Sequence, residues 1–129
     1  MSKASVQGAA VEGQFDARIE AVRRRFVASF ANRMQRTAAA LPQMIGDGTA
    51  SAETVASAYR WLHEVCGIAS TIGFQSTGQS ARSCDALLIG PYRTQRGLSA
   101  AELAQLSERL ESLRLAARAE MQIPESSRG

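Results

Sequence analysis

From Phe15 onward the apolar residues return every third or fourth position. Phe15, Ile19, Val22, Phe26, Phe30, Met34 and Leu41 form one stripe, the period of a long helix with a single buried side. Arg23, Arg24 and Arg25 fall mostly off that stripe and read as a solvated helix face. Pro42 and the segment GDGTAS, Gly46 to Ser51, end the element. A second helix is predicted from Ser51, an N-cap residue type, with Glu53 in the first turn where the helix dipole favours an acid. Its inward stripe is Val55, Ala58, Leu62, Val65 with Cys66, Ala69 and Ile72, and Gly73 interrupts it. Phe74, Thr77, Ala81, Cys84 and Leu88 mark a third helix that stops at Gly90-Pro91, after which the loop GPYRTQRG is polar and basic.

The last helix has the clearest start. Ser99 and Glu102 have the spacing of a capping box, and Leu98 can staple onto Leu103. Leu103, Leu106, Leu110, Leu113 and Ala117 then repeat like a bundle seam. Residues 1–13, rich in Ser, Gly and Ala without periodicity, read as a flexible tail, and residues 123–129, with Pro124 and ESSRG, as a frayed C-terminus. The pattern therefore predicts an all-α protein, an antiparallel four-helix bundle over residues 14–122 with a flexible N-terminal tail.

Composition narrows the picture without changing it. The 129 residues suffice for one domain with a modest core. There are only four Phe, two Tyr and one Trp, so Ala and Leu carry most of the apolar content, which favours helices over a β-sandwich. The net charge of +3 is too small to argue for nucleic acid and is compatible with docking onto acidic protein surfaces. No apolar run is long enough for a membrane span. The N-terminal segment lacks the hydrophobic core of a signal peptide, so the cytoplasm is the expected compartment and no membrane partner is expected. Cys66 and Cys84 then read as buried thiols, too few with His63 to make a zinc site.

The single histidine, His63, poses the chemical question. On a wheel of about 100° per residue it stands at the edge of the second helix's apolar stripe, with its ring reaching water. Gly67 is one turn further on and close to the same direction, and Ala56 and Ser70 share that flank. A glycine inside a helix costs on the order of 1 kcal/mol relative to alanine. One use of that cost is to clear room for a bulky partner to reach the imidazole, whose neutral nitrogen is nucleophilic near neutral pH. The plain alternative is a surface histidine beside a glycine that permits close helix packing. No second histidine, paired-carboxylate motif or glycine-rich phosphate loop accompanies it, so an independent hydrolase or kinase lacks its groups.

The segment His63-Glu64-Val65-Cys66-Gly67-Ile68-Ala69-Ser70-Thr71-Ile72-Gly73 resembles the phosphoacceptor motif of the histidine-containing phosphotransfer (HPt) domain family. That motif reads loosely His-x-hydrophobic-Lys-Gly-small-small-x-x-hydrophobic-Gly. The histidine, both glycines, Val65 and Ile72 fall in register, and Ala81-Arg82-Ser83-Cys84-Asp85 matches an Ala-Arg-x-apolar-acidic pattern of the family's next helix. Two departures stand out. Cys66 replaces the lysine three residues after the histidine, and Ile68, Thr77 and Ser80 occupy positions that are small or leucine in the family. Arg60, one turn before His63, or Arg82 on the neighbouring helix are the candidates to replace the missing charge.

The resemblance implies a free-standing phosphorelay intermediate. His63 would be the phosphoacceptor, with Gly67, Arg60, Ser70 and Arg82 as binding or access residues. Response-regulator receiver domains would be its partners, with a hybrid histidine kinase as a further one. The chain would be a carrier rather than an enzyme and would bind no cofactor or metal itself; the partner receiver would supply Mg²⁺ and most of the charge stabilisation. Two other readings stay open. One is a degenerate HPt-like adaptor that binds receiver or kinase domains without carrying phosphate. The other is a basic helical module that binds nucleic acid through Arg23, Arg24, Arg25, Arg93 and Arg96.

Overall fold

The computed structural model describes residues 3–122, with side chains from Gly13 onward. Every regular element among them is helical: α1 (Lys3–Ala39), α2 (Leu41–Met44), α3 (Thr49–Thr71), α4 (Gln75–Arg93) and α5 (Ala100–Met121). The four long helices follow the four apolar stripes. The short α2 is an addition that the pattern did not predict. α1 ends at Ala39, just before Pro42, and Pro42 itself sits in the first turn of α2, where a missing N–H costs nothing because no helical acceptor precedes it.

The core forms where the stripes meet. Phe30 and Met34 of α1, Val55, Leu62, Val65 and Ala69 of α3, Ala81, Cys84 and Leu88 of α4, and Leu106, Leu110 and Leu113 of α5 are all buried. α3 and α4 make the most extensive pair, and a glycine lies in their seam. A Cβ at Gly78 would fall 2.5 Å from the Ser70 hydroxyl oxygen, so glycine there leaves room for the Ser70 side chain in the seam between the two helices. Their contacts match residues at equal distances before and after Phe74: Ser70 faces Gly78, and His63 faces Asp85.

α1 is about 55 Å long against about 35 Å for α3 at a rise of 1.5 Å per residue. Its middle packs on the bundle, with Phe26 near Phe74 and Phe30 tilted against Trp61. Arg23 already lies level with the end of α3, so the residues before it run past the α3–α4 turn. Phe15, expected on the buried stripe, is consequently 62% exposed. The backbone of residues 3–13, read as an aperiodic tail, is helical. The proposed frayed end at 123–129 lies outside the described residues.

Two helix ends differ from expectation. α3 starts at Thr49 behind Gly48, without a side-chain cap. The Ser51 hydroxyl donates instead to the Ile45 carbonyl at 2.9 Å, and Glu53 falls beyond the first turn. α4 passes through Pro91 and ends at Arg93. Pro91 is buried against the core, and the bonds from Thr94 N to Gly90 O and from Arg96 N to Pro91 O close the end at 3.1 and 3.0 Å. The α5 cap matches its prediction: Ser99 and Glu102 bond each other's backbone reciprocally, and Leu98 is buried at the core. Leu98 also ties two loops together, donating to Met44 O at 2.8 Å and accepting from Gly46 N at 3.2 Å.

Charged side chains from outside the hairpin hold the α3–α4 turn. Arg23 of α1 donates through Nε to the Ile72 carbonyl at 2.6 Å, which corrects its reading as a purely solvated cation. Gly73 takes φ +96 there, a conformation that favours glycine. Glu120 of α5 accepts from Thr77 N and Thr77 Oγ1, both at 2.8 Å, and from Ser76 N at 3.1 Å. A cation thus meets the negative end of α3 and an anion the positive end of α4.

Candidate functional site

α3 determines where the single imidazole goes. Trp61, Leu62, Val65 and Cys66 are buried, while His63, Glu64 and Gly67 between and beyond them are exposed. The His63 side chain is 65% exposed, consistent with its place at the edge of the stripe. Its Nδ1 lies 3.3 Å from Oδ1 of Asp85 on α4, a carboxylate only 18% exposed. A carboxylate accepts, so in the neutral ring Nδ1 carries the proton and Nε2 holds the free lone pair.

The two turns flanking His63 are unlike each other. One turn before it, Tyr59 is buried, and its ring stacks on the imidazole with centroids 5.5 Å apart at 24°. Tyr59 in turn stacks on Tyr92 of α4 at 4.2 Å and 22°. Burial first, and then the nearby Asp85 carboxylate, hold the Tyr59 phenol above its ordinary range. One turn after His63, a Cβ built at Gly67 would meet no heavy atom within 4 Å. Gly67 therefore does not serve close helix packing; Gly78 does.

The other candidate residues separate. Arg60 is exposed and lines an open groove with Thr49, Ala52, Ala56, Tyr92 and Arg93. Arg82 is exposed on α4, close enough to Cys66 for its charge to act on that thiol. Ser70, expected on the exposed strip, is half-buried against Gly78 in the α3–α4 seam. Cys66 is buried, and burial, then Asp85, push its pKa up against the opposing pull of Arg82. Burial drives the Cys84 thiol to about 12. Both cysteines are free thiols in a neutral state. Of the arginines proposed for a nucleic-acid face, Arg23 is committed to the α3 end and Arg96 to a two-pronged pair with Glu102 at 2.9 Å.

Asp85 and the Tyr59–Tyr92 pair are the site residues that sequence reasoning missed as neighbours of His63. A signal for Asp85 exists: it lies as far after Phe74 as His63 lies before it, which a hairpin folded at Gly73-Phe74 brings together. Tyr59 shares the i,i+4 row of His63 and Gly67. Among the described residues no cluster of three or more His, Cys, Asp or Glu side chains is placed to hold a metal ion. No helix among the described residues is long and apolar enough to cross a membrane. No family model, curated protein or solved structure matches this chain.

Proposed function

We propose that this chain is a histidine phosphotransfer module: an antiparallel four-helix bundle that carries a phosphoryl group on His63 between the receiver domains of a phosphorelay. The observation that carries the reading is the state of the lone imidazole. It is mostly exposed, its Nδ1 is engaged by Asp85, and the turn beyond it is bare at Gly67. The motif resemblance over His63–Gly73 supports the same reading.

In the step this arrangement suits, the Nε2 lone pair attacks the phosphorus of an aspartyl phosphate on the partner. The P–O bond to the aspartate breaks, and its electron pair returns to the carboxylate. The phosphorylated ring, still protonated at Nδ1, gains positive character that the Asp85 carboxylate offsets, favouring the transition state over the neutral ground state. The partner would supply Mg²⁺ and the remaining charge stabilisation. Arg82, beside the position of the family's lysine, and Arg60, in the adjoining groove, are the cations this chain offers to an anionic partner.

Incubation with receiver domains phosphorylated on aspartate tests the proposal. Acid-labile label is expected on His63, and His63→Gln is expected to take none while melting almost as the parent does, since so exposed a ring contributes little packing. Stable binding of receivers without label would assign the adaptor role instead. Neither binding nor label would end the phosphorelay reading.

A further inference from the structure

Side chains on an α-helix lean toward its N-terminus. The imidazole of His63 therefore lies over the turn that carries Tyr59 and away from the turn that carries Gly67. Along the single row 59, 63, 67 the ring meets a buried aromatic on one side and open space on the other. The contact with Asp85 holds the ring at one edge, and the ring stacked on one face limits how far the imidazole can rock about its χ1 and χ2 bonds. Together the two contacts define the plane of the imidazole and the direction of its Nε2 lone pair.

Tyr59 is also a core residue. Its flat ring is packed into the protein and stacks on both the His63 and the Tyr92 rings. Leucine would fill the same interior but would offer no flat wall. Tyr92, half-buried at the end of α4, stacks on Tyr59 and limits its own movement.

We propose that Tyr59, backed by Tyr92, is a positioning residue for His63: it closes one face of the imidazole so that Nε2 is presented in one orientation, with approach from the Gly67 side. The inference rests on the reading of His63 as a nucleophile, and it adds a determinant that the motif itself does not contain. Holding a nucleophile in its attacking orientation lowers the barrier by removing rotational freedom before the reaction.

The test uses phosphoramidate, a small donor that needs no protein partner. Nε2 of neutral His63 attacks phosphorus, the P–N bond breaks with its electron pair on nitrogen, and ammonia leaves. Two readouts are taken on the parent, Tyr59→Phe, Tyr59→Leu and Tyr92→Leu: the labelling rate of His63, and the NMR shifts of its ring protons, which report the neighbouring aromatic current. Tyr59→Phe is expected to keep both. Tyr59→Leu is expected to move the ring protons toward free-imidazole values and slow labelling on the order of tenfold, with Tyr92→Leu intermediate.

Parental labelling in a folded Tyr59→Leu variant would overturn the proposal, as would an equal loss in Tyr59→Phe. If Tyr59→Leu fails to fold, Tyr92→Leu decides, and parental values of both readouts there sink the idea. Wild-type labelling by phosphoramidate that depends on Tyr59, without any from phosphorylated receivers, would leave the positioning intact and remove the phosphorelay reading.

Discussion

At the α3–α4 turn, helix ends are answered by a side chain from another element. Arg23 reaches the Ile72 carbonyl, and Glu120 collects the N–H groups of Ser76 and Thr77 with the Thr77 hydroxyl. About 13 Å along α3, at a rise of 1.5 Å per residue, the flank around His63 is built the other way. Gly67 has nothing over it, Arg60 faces an open groove, and the imidazole is held on one edge and one face only. The turn uses polar groups to stabilise the chain. The flank gives up some helix stability and leaves its polar groups available to another molecule. That contrast, rather than the histidine alone, marks where a partner docks in the proposed function.

The contrast is most strongly tested at Glu120. Thr77 is fully buried, so Glu120→Ala leaves its backbone N–H without an acceptor and should cost about 2 kcal/mol of stability. Denaturant unfolding measures this loss. Labelling of His63 by phosphoramidate should stay at the parental rate, and a parallel fall in rate would show that the two regions are one unit.

A smaller effect is expected at Gly67. Gly67→Ala should stabilise the helix by about 1 kcal/mol at most, because no neighbour opposes a Cβ there. Gly67→Gln should fold equally well and slow transfer from a phosphorylated receiver, since the longer side chain occupies the approach to Nε2. Undiminished transfer in Gly67→Gln would show that the bare turn is not an entrance.

The weakest handle is acid. Desolvation pushes the Glu120 carboxyl up, but the hydrogen bonds from the Thr77 and Ser76 backbone and the Thr77 hydroxyl outweigh it, and its pKa is lowered. Arg96, then the Ser99 backbone, take Glu102 to about 2 from an ordinary 4.5. A folded pKa below the unfolded one adds stability that is present above the unfolded value and lost as pH falls through the folded one. Melting temperature should therefore decline between about pH 5 and about pH 2, and Glu120→Gln should make that decline shallower. An unchanged acid slope in Glu120→Gln would mean that the carboxylate's charge contributes nothing at the turn.

Much of the architecture was legible because it rests on near neighbours in sequence. The stripe from Val55 to Ile72, the seam from Leu106 to Ala117 and the Ser99–Glu102 box involve residues three or four apart, and all appear where the pattern places them. The exposed edge position of His63 follows from the same periodicity. Residues whose partners lie outside their own helix, or whose place depends on burial, differ from the pattern's reading. Ser51 looked like a cap but bonds Ile45, Pro91 looked like a stop but is supported by core burial, and Arg23 looked solvated but answers Ile72.

The sequence by itself determined which faces of the helices are apolar and that one imidazole stands at the rim of one of them, since helical period and side-chain chemistry are local properties. Only the tertiary structure decided what that imidazole meets. Asp85 reaches its Nδ1, and Tyr92 backs the Tyr59 wall, because α3 and α4 fold about Phe74 in one register. Ser70 meets Gly78 in that same register, a contact between residues on different helices that no periodicity along either one encodes.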